Sequence, residues 1–77
     1  MPLDDAPGPD PIDMAIGARI RLRRKSLNLT QAALAARIGV TFQQVQKYER
    51  GANRVSGSTL VAVARALDTS VGWLVGE

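Results

Sequence analysis

The 77-residue chain contains no cysteine and no histidine. Without thiols it can form no disulfide and no thiolate metal site, and without imidazole it lacks the commonest metal ligand and general base. Aromatic residues are scarce, with one Trp, one Tyr and one Phe. There is no run of about 18 apolar residues, the length that crosses a bilayer. The first basic residue is Arg19, after an acidic opening, so the basic-then-apolar pattern of a secretory signal is missing. Acids are rare in the body of the chain, where Glu49 is the only Asp or Glu between residues 14 and 67. Paired-carboxylate chemistry therefore has no second member, and enzyme function is the reading least supported. No cofactor or metal ion is expected.

What is present is basic charge, unevenly placed. Residues 14–77 hold all ten Lys and Arg against Glu49, Asp68 and Glu77, a net +7. The first thirteen residues hold Asp4, Asp5, Asp10 and Asp13 and no base, a net −4. A basic unit of this kind fits a polyanion, nucleic acid before anionic membrane. All four prolines fall within the first eleven residues, beside Gly8 and the acids. Residues 1–10 therefore read as a disordered acidic arm, and 11–77 as one small domain. A chain of this length buries only about 60% of its unfolded surface, enough for a helical bundle.

From Asp10 onward, helix start and stop signals recur. Asp10 caps a first helix with Pro11 at its first position, running to about Lys25 with Ile12, Ile16 and Ile20 on one stripe. Thr30 caps a second helix through Ile38, closed by Gly39. Thr41 and Gln44 form a capping box that opens a third, ending at Arg50 before Gly51. Ser56 caps a fourth helix, with Leu60, Val63, Ala64 and Leu67 at core spacing, and Ser70 caps a last turn. No segment alternates with period two. The fold class is all-α, with five helices.

Two short helices joined by Gly39-Val40-Thr41 must cross steeply, as in a helix-turn-helix, with Leu34, Ile38, Val45 and Tyr48 as shared core. Arg24 lies four residues after Ile20, and Glu49 four after Val45, so both sit on inward stripes. Opposite charges on facing apolar surfaces should pair, which makes Glu49 structural. The outward face of the third helix carries Gln43, Gln46, Lys47 and Arg50, with Phe42 at its start. Gln bonds adenine, Lys reaches guanine, and an apolar ring touches the thymine methyl.

The stretch TQAALAARIGVTFQQVQKYERG, with its flanking helices and the terminal SVGWLVGE, resembles the phage-repressor and Cro family of DNA-binding domains, also called the xenobiotic-response-element type. The resemblance covers about Ile16 to Val75 and implies a five-helix, lambda-repressor-like domain. Base reading then maps onto Phe42, Gln43 and Lys47, with Gln44 or Gln46 alongside. Phosphate binding maps onto Thr30, Gln31 and Thr41 and onto Arg50, Asn53 and Arg54 after the third helix. Several relatives carry Gln where this chain has Phe42, so a hydrogen bond from Gln31 to that position is ruled out here. The resemblance implies a cytoplasmic, nucleoid-associated homodimer on a two-fold double-stranded DNA operator, acting as a repressor. Residues 31–38 contain no acid with which lambda-type activators touch polymerase.

Some residues keep two readings. Arg19, Arg21, Arg23 and Lys25 on the first helix either attract phosphate or form a solvated face. Val71, Trp73 and Leu74 are either core or a dimer seam. An antitoxin-like module, with a protein partner and autoregulatory DNA binding, would use the acidic arm as its extra segment. A membrane-surface peptide is disfavoured because the first helix lacks aromatics and places Arg24 on its apolar stripe.

Overall fold

A computed structural model describes residues 10–77. The helices are α1 (Pro11–Ser26), α2 (Gln31–Ile38), α3 (Phe42–Glu49), α4 (Gly57–Ala66) and α5 (Val71–Val75). The expected arm lies outside the described residues except for Asp10, which belongs to the folded unit. Its Oδ1 accepts the Ile12 N–H at 2.7 Å and caps α1. The hydroxyls of Thr30, Thr41, Ser56 and Ser70 cap the other four helices by accepting from Ala33, Gln44, Thr59 and Trp73 N–H. Each cap satisfies a donor that the helix leaves open, typically worth about 1 kcal/mol. Gly39 ends α2 with φ 74°, a left-handed conformation that lets the chain turn at once into α3.

The core draws on every helix: Ile16 and Ile20, Leu34 and Ala35, Val45, then Leu60, Val63 and Ala64, then Leu67 at the end of α4 and Leu74 in α5. The α4 spacing therefore reads correctly, all four residues being buried. Ile38 and Tyr48 are half-buried at the edge of this core. Ile12 departs from expectation and is 68% exposed. The same i, i+4 row stays buried through Ile16, Ile20 and Arg24, so the spacing itself is sound and it is the position of Ile12 in the first turn of α1 that takes it off the core.

α1 packs on α3 and α5, while α2 packs on α3 and α4. Gly17 is what lets α1 lie so close to α3, because a Cβ there would stand 2.2 Å from the Tyr48 carbonyl oxygen. Gly51 performs the same service just beyond α3, with φ 71° and a Cβ position only 2.7 Å from Met14 Cα. Both close approaches lie at the carboxyl end of α3, against the first half of α1.

Candidate nucleic-acid interface

α3 is pinned from beneath by the predicted ion pair. Arg24 Nε donates to Glu49 Oε2 at 2.6 Å and Arg24 Nη2 to Oε1 at 3.0 Å, a two-bond fork. Both side chains are buried, at 8% and 2% exposure. Arg24 Nη1 donates to the Leu29 carbonyl at 2.7 Å, and Gln31 Nε2 adds a further bond to Glu49 Oε1 at 3.0 Å. The charges are compensated and no described buried polar side-chain atom lacks a partner. Glu49 is thus a structural residue that ties α1, α2 and α3 together.

With its inner edge anchored, α3 exposes Gln43, Lys47 and Arg50 as an outer ridge, and Phe42 stands 41% exposed at its start. Gln44 and Gln46 are half-buried on opposite flanks, as 100° steps around the helix require. Gln46 does not extend the ridge, contrary to its expected place on the outward face. It lines a cleft of about 330 Å³ with Arg21, Gln31, Glu49 and Arg50. Thr30 and Thr41 are exposed at the starts of α2 and α3, and Asn53 and Arg54 are exposed in the loop after α3. Arg54 already has an internal partner, since its Nε lies 3.3 Å from Asp13 Oδ2 and its Nη2 4.0 Å from Asp10 Oδ2.

The structure sorts the ten bases by what they already hold. Arg23 donates to the Leu67 and Asp68 carbonyls at 2.8 and 3.0 Å, and Arg37 donates to the Ala66 carbonyl at 3.2 Å. These two complete the carboxyl end of α4, where cations are favoured. Arg19 lies 5.6 Å from the centre of the Trp73 ring, within cation–π range. Arg24 and Arg54 hold carboxylates. Among the described residues, Arg21, Lys25, Lys47, Arg50 and Arg65 make no side-chain hydrogen bond or ion pair. Arg21, Lys47 and Arg50 therefore stand free on α3 and on the edge of α1 beside it.

Sequence reasoning missed Gly17, the α4-capping roles of Arg23 and Arg37, and the Arg54–Asp13 pair. The glycine carried a local signal, sitting between two core isoleucine turns. The arginine contacts link residues 29 to 45 positions apart and carried none. Leu74 has no exposed surface, so it drops out of the proposed dimer seam. Val71 and Trp73 remain half-buried and Val75 is 41% exposed. No described helix is long and apolar enough to cross a membrane, and no described acidic cluster could hold a metal ion.

A family model for helix-turn-helix domains matches residues 20–74, from the middle of α1 to α5. The chain belongs to the helix-turn-helix family of phage-repressor and Cro type. It is 48% identical over 65 residues to an uncharacterized helix-turn-helix transcriptional regulator of Sinorhizobium medicae, covering 84% of this chain and 47% of the relative. It is 46% identical over 77 residues to an uncharacterized transcriptional regulator in the ATPase CF(0) region of Rhodospirillum rubrum, covering 100% of this chain and 71% of that protein. The chain thus spans about half the length of the Sinorhizobium relative. Among solved structures, the P22 c2 repressor in complex with synthetic operator 9T superposes with a TM-score of 0.75 at 38% identity, covering 79% of this chain and 92% of that one. In this helix-turn-helix chain, α2 and α3 are the two helices of the motif.

Proposed function

We propose that the chain is a sequence-specific double-stranded DNA-binding transcriptional regulator. It would bind a two-fold operator as a homodimer and repress by occluding polymerase in the cytoplasm, at the nucleoid. One observation carries the reading: Gln43, Lys47 and Arg50 form a polar and basic ridge on a helix whose opposite edge is locked by the Glu49–Arg24 fork. A surface helix with no task has no need of such rigid support, whereas reading bases requires side chains held in register. Gln43 and Lys47 read base edges from the amino-terminal half of α3. Thr30, Gln31, Thr41, Arg50, Asn53 and Arg54 contact phosphates, with Arg54 exchanging Asp13 for DNA. Val71, Trp73 and Val75 offer the dimer surface, and half-sites lie one helical turn apart, about 34 Å.

Selection of bound sites from a random duplex pool tests this directly. A palindromic consensus with half-sites one turn apart is the expected result. Recovery of no consensus would overturn sequence-specific recognition.

A further inference from the structure

The cleft between α1 and α3 is not explained by the ridge or by the buried ion pair. Two arginines with no partner among the described residues, Arg21 from α1 and Arg50 from the end of α3, converge on it. Gln31 and Gln46 supply amides to its walls, and Glu49 contributes its floor. The floor does not neutralise the arginines. Glu49 Oε2 is taken by Arg24 Nε, and Oε1 by Arg24 Nη2 and Gln31 Nε2, so its charge is already spent. With Arg24 counted against Glu49 beneath the floor, Arg21 and Arg50 leave the cleft a net two positive charges.

The placement follows from the backbone. Gly17 brings α1 against the carbonyls of Tyr48 and Glu49. Arg21, one turn further along α1, must then stand beside the carboxyl end of α3. Gly51, wedged against Met14, holds the chain just after Arg50. Gln31 opens α2, so the positive end of that eight-residue helix borders the cleft as well. Like charges held together on rigid supports favour an anion between them, and the guanidinium fork matches a phosphate's oxygens.

We propose that Arg21 and Arg50 clamp a single phosphodiester of bound DNA in this cleft, with the Gln46 amide donating to the same group. The inference rests on the DNA-binding reading and deepens it. It adds to the interface a residue of α1, outside the helix-turn-helix, and moves Gln46 from base reading to backbone positioning. The cleft adjoins the α3 ridge through Arg50, which belongs to both, so this phosphate belongs to the duplex whose bases Gln43 and Lys47 meet.

The test titrates the full chain against selected and scrambled duplexes over a range of salt. Arg21→Gln, Arg50→Gln, the double variant and Arg65→Ala, a free base on α4 away from the cleft, are compared with wild type. Each cleft variant weakens both duplexes by the same several-fold factor and melts with wild type. The double variant lowers the log–log salt slope by about one unit, because one shared phosphate is lost, and Arg65→Ala leaves it unchanged. A fall of about two units would mean two separate phosphates and would overturn the clamp, as would an unchanged slope. Single methylphosphonate substitutions along the duplex supply the second readout. One linkage weakens wild type and has no effect on the double variant; finding no such linkage also overturns the proposal. In DNA-free chain, saturable thermal protection by inorganic phosphate, lost in the double variant, would assign the cleft to a free anion instead. Absence of salt-dependent duplex binding by wild type would defeat the DNA reading itself, whereas wild-type binding with unaltered variants defeats only the clamp.

Discussion

Replacing Arg24 by Ala should be among the most damaging substitutions in this chain, and its size can be worked from the contacts. Glu49 is 2% exposed at its side chain and would retain only the Gln31 amide. Removing one partner of a buried ion pair costs about 3–5 kcal/mol, since the remaining charge is left without compensation. The low end applies, about 3 kcal/mol, because Gln31 still donates and the adjoining cleft admits water. A domain of this length holds roughly 4–12 kcal/mol in total, so the loss removes a large share of it. At about 4–8 °C per kcal/mol, the midpoint should fall by roughly 12–24 °C. Glu49→Ala should do similar harm by stranding Arg24. Joint replacement by Met and Leu should restore much of the loss, because an apolar pair carries no desolvation penalty. Thermal and urea unfolding followed by circular dichroism measures all four chains. Either single variant melting with wild type would refute the pairing as the anchor of α3.

Gly17→Ala forces α1 off α3, since the new Cβ would meet the Tyr48 carbonyl at 2.2 Å. It should destabilise by about 1–3 kcal/mol in urea unfolding, despite the gain in helix propensity. Leu74→Ala should cost about 2–5 kcal/mol, because the residue has no exposed surface; a neutral result would return it to the dimer seam. Arg54→Ala breaks only an exposed pair with Asp13, so stability should change by about 0.5 kcal/mol or less. The same variant should weaken operator and scrambled duplexes alike and lower the salt slope by about one unit, as fluorescence anisotropy would show.

Much of the fold is legible in the sequence because capping is local. Asp10, Thr30, Thr41, Ser56 and Ser70 each bond an N–H two or three residues away, so their signals lie within one turn. The Arg24–Glu49 pair is legible for a different reason. Two charges placed on inward stripes have only each other. Where inference falls short, the cause is geometric. Ile12 follows the spacing of Ile16 and Ile20, yet it lies in the first turn of α1, where the core has ended, and it faces solvent. Gln46 shares a helix face with Gln43 by count, yet α1 and α2 crowd its flank and turn it into the cleft. Arg23 reads as one more surface base on α1, and only the return of the chain 44 residues later puts the Leu67 carbonyl beside it.

The central claim is that α3 reads sequence while the surrounding bases hold the backbone. The most direct measurement is the ratio of operator to scrambled affinity for wild type, Gln43→Ala and Lys47→Ala at fixed salt. Each replacement should cost about 1–3 kcal/mol on the operator and much less on scrambled DNA, collapsing the ratio about 5- to 150-fold. Ratios equal to wild type in both variants would mean that α3 does not read the bases, contradicting the account.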